Sequence, residues 1–387
     1  MTATTQPSPF ATVPFGFDGH GYSTEGDAIN PRVDHTLDGV DLNTLWTEHA
    51  AVLQAWNARA SSLAALLSYW HTNAADAIPD KFLRNTFERA SEFGEPVGVR
   101  GPDYQVLGYD FEDYDTASRY TWKFLRDATS DQVKAILNDI LAADNRLVND
   151  LILRRLFDPT ETVNEQGTPV YGLYNGDGTV PPPFAGKTFT GAETHYLTTG
   201  HDDLDSGDVE QAIRIVRDKG FGIPESGQKL LMLCHPNQAE TIASWAKGIE
   251  NANEAVAKYD ALPSVGAPAF EASGPIVGTQ APAELFGVEI SGSYGPVYIA
   301  DSYFIPEHWF AVVATAGPNN PMNPIGVRQH PDGAYQGLRA IPGPVPGWPL
   351  QDAFYTRGIG VGTRHRGAAV VYKIASGGQY TVPNLAM

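Results

Sequence analysis

Apolar positions return along this chain in more than one rhythm. Leu42, Leu45, Trp46, Leu53, Trp56, Leu63, Leu67 and Trp70 recur near helical spacing and predict one helix over about 42–70, its tryptophans facing a core or a partner. A shorter helix is predicted from Pro79 to Phe93, with proline in its first turn. The strongest helical rhythm follows Thr129: Val133, Ile136, Leu137, Ile140, Leu141, Leu147, Val148, Leu151 and Ile152 mark one face. Thr129 with Gln132 reads as a capping box, and Asp158-Pro159 stops the run. A helix of ~28 residues spans about 42 Å and needs a sheet against its apolar face.

Elsewhere the rhythm is shorter. Tyr120–Leu125 reads as a strand, and Val106 and Leu107 with Val97 and Val99 as two strands of a long hairpin. His201 to Asp208 leads into a helix bearing Val209, Ala212, Ile213 and Val216, stopped at Gly220. Leu230–Cys234 is a continuous apolar run, hence a buried strand, and His235-Pro236-Asn237 turns it into a helix with Ala239, Ile242, Ala243 and Ala246. Further strands are predicted at Val288–Ile290, Val297–Ile299, Tyr303–Ile305, Phe310–Ala314, Tyr355–Val361, Ala368–Ile374 and Gln379–Val382. Residues 1–40 read as an extended arm, 250–282 as a small-residue loop and 317–349 as a Pro/Gly-rich loop. The fold class is α+β.

Composition narrows the chemistry. The 387 residues carry 26 basic and 45 acidic side chains, a net charge of −19, which argues against a broad nucleic-acid surface. The 39 glycines and 29 prolines imply many turns and long ordered loops. One cysteine, Cys234, excludes a disulfide framework or a multi-cysteine zinc site. The first basic residue is Arg32 and no apolar run approaches the ~20 residues of a membrane span, so the expectation is a soluble protein made in a reducing cytoplasm, with no membrane partner.

Two stretches offer ligand chemistry and fail. Gly186-Lys187-Thr188 ends like a phosphate loop, but the required first glycine falls on Pro181, and Pro182 and Pro183 remove further N–H donors. Asn175-Gly176-Asp177-Gly178 resembles a calcium loop, but aligning Gly178 as the sixth position puts Leu173 first and Phe184 twelfth. Turn chemistry survives: Asn-Gly and Asp-Gly supply positive φ for a tight turn. In His201–Asp208, Asp205 or Ser206 is placed to cap the following helix. Cys234 lacks an identifiable base, and Gly358-Ile359-Gly360-Val361-Gly362 lacks the later glycine and helix of a dinucleotide fingerprint. No cofactor, metal or catalytic residue is assigned, and an enzyme is not expected.

The order of elements resembles the major capsid proteins of tailed bacteriophages, the Hong Kong 97 fold. The resemblance is carried by Tyr120-Thr-Trp-Lys-Phe-Leu-Arg-Asp-Ala-Thr129 before the long helix and Leu173-Tyr-Asn-Gly-Asp-Gly-Thr179 after it. Leu230–Asn237, Phe286–Ile290, Val297–Asp301 and Arg357–Val371 add to it, and it covers roughly residues 78–387. It implies an N-terminal arm (1–77, with the helix about 42–70), a short helix (78–93) and an extended β-hairpin loop (94–117). It further implies a peripheral domain with the spine helix (118–170 and 350–374) and an axial domain with loops (171–349 and 375–387). The implied function is an icosahedral shell of pentamers and hexamers around packaged double-stranded DNA. The implied partners are scaffolding, portal and possibly decoration proteins, and the location is the virion, assembled in the host bacterial cytoplasm. An encapsulin-like nanocompartment shell shares the fold and is the alternative. A metal-dependent hydrolase using His195, His201 and Asp202 or Asp203 is a remote one.

Two expectations concern assembly. Some members of this family crosslink subunits through a loop lysine, and residues 94–117 contain none. The second concerns the closing strand, where alternation puts Ile359 and Val361 on one face and Gly358, Gly360, Gly362, Arg364 and Arg366 on the other. The apolar face is expected on the spine helix. Glycines mark close approach of another backbone, so a neighbouring subunit's acidic loop is expected there, with Asp110, Glu112, Asp113 or Asp115 near Arg364 and Arg366.

Overall fold

A computed structural model describes residues 33–58, 63–79, 89, 104–183, 187–266, 277–343, 350 and 352–385. The chain forms two compact units. One draws on 1–59, 113–145 and 332–358, the other on 60–112, 146–331 and 359–387. The boundary falls inside the spine helix, Ser130–Phe157, and inside the closing strand, Asp352–Thr363.

In the first unit, helix Leu42–Asn57 and the first half of the spine helix share a core. Leu42 and Leu45 pack with Tyr120, Leu125, Ala128 and Val133, while Leu53 packs with Leu137, Ile140, Leu141, Leu338, Ala353 and Tyr355. The closing strand thus covers the spine's apolar stripe with Ala353 and Tyr355, and Arg339–Ile341 pairs antiparallel to it. Polar groups fix the register. Asp144 of the spine accepts from Arg357 Nε and Nη2 (the latter 2.8 Å), a buried ion pair, and from Nε1 of the half-buried Trp56 (2.8 Å). Gln132 reaches back to the Thr129 amide (2.9 Å), half of the expected capping box. The remaining cap comes from far away: Asp38 accepts from Ser130 N (2.9 Å) and Oγ (2.6 Å), which holds its carboxyl down at about 2.

The second unit is built on a seven-stranded sheet in the order Tyr196–Thr198, Ala369–Lys373, Trp309–Thr315, Lys229–Cys234, Val297–Asp301, Gly292–Tyr294, Ala261–Pro263. Its centre, Lys229–Cys234, is buried from Leu230 onward and lies parallel to Val297–Asp301 and antiparallel to Trp309–Thr315. Helix Ser206–Asp218 covers one face with Val209, Ala212, Ile213 and Val216. A smaller set of strands joins Ser68–His71, Ile325–Arg328 and the second half of the closing strand, with Ile325 opposite Thr363 and Arg328 opposite Gly360. A hairpin pairs Ala75–Pro79 with Tyr104–Gly108.

Several expectations need correction. The helix expected over about 42–70 ends at Asn57, and Trp70 lies on a strand. From Ala64 to Leu67 every residue is buried, so this run enters an interior and no longer presents one stripe. Tyr120–Leu125 is no strand: helix Trp122–Asp127 starts there, capped by Thr121 Oγ1 accepting from Phe124 N (3.2 Å). Tyr303–Ile305 is a turn, because Ser302 Oγ accepts from Phe304 N (3.2 Å). Gln379–Val382 is irregular, and the 317–349 stretch carries strands Ile325–Arg328 and Arg339–Ile341. The Pro79–Phe93 helix lies outside the described residues except for Arg89, outside any helix, and Pro79, which ends a strand; Val97 and Val99 lie outside them too.

Candidate functional site around the closing strand

Gly360 and Gly362 of the closing strand lie against backbone of the same chain. A Cβ on Gly360 would overlap the Asp110 carbonyl and stand 2.8 Å from Phe111 Cα; one on Gly362 would lie 2.5 Å from Gly108 O. Asp110 N donates to Val361 O (3.3 Å). Residues 108–111, which leave the hairpin arm Tyr104–Gly108, are therefore laid directly on the strand. Gly358, Ile359 and Val361 are buried as well, so this half of the strand is covered on both faces.

The arginines differ from expectation more sharply. The strand ends at Thr363, so alternation does not govern Arg364 or Arg366. Arg364 is held by Asp76 of the hairpin's first arm and by Pro321 O (2.9 Å), and lies over the Tyr69 ring at 4.9 Å. Arg366 has a wholly buried side chain. It is paired with Asp177, donates to Gly172 O (3.1 Å) and Thr179 O (2.6 Å), and lies 4.5 Å from the Tyr171 ring centroid and 5.4 Å from that of Tyr174. Each arginine is thus paired with a carboxylate of its own chain, Arg364 with Asp76 and Arg366 with Asp177. Asp110 is half-buried, with Thr162 Oγ1 donating to it (3.2 Å) and burial raising its carboxyl. Glu112, Asp113 and Asp115 are exposed.

This gives the Asn175-Gly176-Asp177-Gly178 turn a second task. Gly176 (φ 81°) and Gly178 (φ 89°) supply the left-handed backbone expected of them. Asp177 accepts from Thr179 N (3.0 Å) and turns its carboxylate onto Arg366. The turn is a clasp on a buried cation, 189 residues away in sequence.

The residues of the remote hydrolase reading are not assembled into a centre. His195 is fully buried, its Nδ1 2.7 Å from Ala369 O, and burial pushes its imidazole down to about 4. Asp202 accepts from Ser376 N (3.0 Å), and His201 is exposed. Among the described residues no group of His, Cys, Asp and Glu is arranged to hold a metal, and no helix is long and apolar enough to cross a membrane. Cys234 is buried, which pushes its thiol up, and His235 caps the next helix.

Asp205 caps helix Ser206–Asp218 in a reciprocal box with Asp208. Burial, then the Asp205 carboxylate, push Asp208 up to about 7 from 3.8. Between those values the folded chain holds a proton that the unfolded chain has released. The group therefore favours folding at the acid end, and that contribution is lost as pH rises through about 7. Asp208→Asn keeps an acceptor for the Asp205 amide and should flatten this part of the profile. Urea midpoints of wild type and variant, compared across this window, should diverge in the variant's favour as pH rises; a constant difference would refute the assignment.

No protein-family model matches the chain, nor does any curated protein. Among solved structures it is similar to a chain of Mycobacterium phage Patience, with 35% identity over 94% of this chain and 96% of that one and a TM-score of 0.68. It is remotely similar to the capsid of a native GTA particle (13% identity, 90% and 96% covered, TM-score 0.44). A holo-SrpI encapsulin complex of Synechococcus elongatus gives 13% identity, 87% and 98% covered, and a TM-score of 0.40. Those two carry no weight beside the first.

Proposed function

The chain belongs to the Hong Kong 97-fold major capsid proteins of tailed bacteriophages, and from this premise we propose that it assembles as pentamers and hexamers into an icosahedral head enclosing double-stranded DNA. The observation that carries the proposal is the end-to-end match, 94% of this chain on 96% of its relative at 35% identity. A shared domain alone would match a part. In this reading the protein is a wall component of the virion, assembled in the bacterial cytoplasm with scaffolding, portal and possibly decoration proteins, and it catalyses nothing. In this reading the seven-stranded sheet apart from Ala369–Lys373 belongs to the axial domain, the spine helix with Ala369–Lys373 to the peripheral domain, and strands Ala75–Pro79 and Tyr104–Gly108 to the base of the extended loop. A net charge of −19 suits a wall that does not grip phosphates.

Electron microscopy of the protein produced with its head proteins tests this. Closed icosahedral particles holding nuclease-protected DNA are expected. Particles filled with a cargo protein would favour the nanocompartment alternative, and absence of particles would overturn both. Shells boiled in detergent should also release monomer. Residues 94–117 hold no lysine, and Lys81 is the lysine that precedes them in sequence. A covalent ladder that vanished in Lys81→Ala would overturn the expectation.

A further inference from the structure

The most exposed large apolar side chain among the described residues is Tyr303, at 83%, and Phe304 beside it is 42% exposed. The pair is held on a fixed turn. Ser302 N donates to Cys234 O (3.0 Å), Ile305 N donates to Ser302 O (3.1 Å), and His235 packs edge-on against the Tyr303 ring at 5.4 Å. This aromatic knob stands where strands Lys229–Cys234 and Val297–Asp301 end and helix Pro236–Ala243 begins.

At the other end of that helix lies a cleft of about 230 Å³. Trp245 and Leu204 are buried in its lining, and Thr241, Ile249 and Glu250 line it as exposed residues. Ile249 is 61% exposed, and Val256, bridged to Glu250, is 55% exposed. Knob and cleft are thus separate features, about 12 Å apart along the eight-residue helix. A contact joining different patches of two copies is head-to-tail, the kind that closes into a ring. Asp301 and Glu307 flank the knob, and exposed Lys247 follows Trp245 beside the cleft, alongside Glu250. In a chain of net charge −19, where copies repel, such an apolar contact with an opposite charge at its edge is where two copies can meet.

We propose that Tyr303 and Phe304 of one copy seat in the Trp245–Ile249 cleft of the next copy around each capsomer. The occupant is a second copy of this chain, and the inference rests on the shell reading above. Two measurements test it. Hydroxyl-radical labelling of wild-type shells and of dissociated subunits should show both 303–304 and 245–252 protected severalfold in the shell. Shells of the Ile249→Cys/Phe304→Cys variant, oxidised, should give covalent rings of five and six copies, and each single variant none. Wild-type shells with labelling unchanged at both segments overturn the contact and leave the capsid reading standing. Absence of shells from the wild type with its head proteins overturns the capsid reading, and this inference with it. A double variant that does not assemble leaves the wild-type labelling to decide.

Discussion

Gly360→Ala is expected to cost the folded chain about 3 kcal/mol or more, the upper end of what overpacking a filled site costs. The added methyl would meet backbone, the Asp110 carbonyl and Phe111 Cα, which cannot rotate away as a side chain can. The strand itself is pinned on its other edge by the Val327–Val361 and Arg328–Gly360 pairs. Relief must therefore come from lifting residues 108–111 off the strand, with loss of the Asp110 N to Val361 O bond. Since 108–111 continue directly from the hairpin arm, the variant should lose amide protection over 104–111 before it loses the seven-stranded sheet. Hydrogen exchange reads this by segment. Gly377→Ala, where a methyl meets nothing within 4 Å, is the control and should stay within about 0.5 kcal/mol of wild type. Equal exchange over 104–111 in Gly360→Ala and wild type would refute the close-approach argument.

What could be read from the chain alone follows from which contacts are local. The spine helix is legible because nine of its residues repeat one apolar face and Asp158-Pro159 ends it; its ends match, Ser130 to Phe157. Leu230–Cys234 was legible because a short run buried on both faces has no polar alternation to mislead. Failures occurred where a side chain overrode the local rhythm. Thr121 turns an aromatic stretch into a helix by capping it, and Ser302 turns an apolar triplet into a tight turn. The break after Asn57 has no glycine or proline to announce it. It is set by Asn57 bonding Leu338 through both Oδ1 and Nδ2, a partner 281 residues away.

The closing strand shows the same limit within one site. Gly360 and Gly362 stand where a Cβ would collide with backbone of the same chain. Sequence carries no sign of whether that backbone belongs to the same chain or to another. Alternation carried past Thr363 puts the arginines on a strand face, but the strand ends at Thr363. Cys234 and Asp205, by contrast, took the structural roles their neighbours in sequence suggest.

Arg366→Ala should be the most damaging side-chain deletion of this region, at about 3–5 kcal/mol, the cost of leaving a buried ion unpaired. Arg366 has no solvent-exposed side-chain surface, and its removal strands Asp177, Gly172 O and Thr179 O together. It also takes the guanidinium from between Tyr171 and Tyr174. The turn at Asn175–Gly178 would then lose the charge that fixes it, so the damage should reach the segment leaving the spine helix. Arg366→Glu should therefore yield unfolded or insoluble chain, whereas an arginine serving only a neighbouring subunit would leave soluble subunits that fail to assemble. The double variant Arg366→Met/Asp177→Asn removes both charges together and should recover a large part of the loss, since an uncharged pair leaves no buried ion behind. Urea denaturation of dissociated subunits measures all of these. A soluble, normally stable Arg366→Glu subunit would overturn the clasp and return the arginine to the subunit interface.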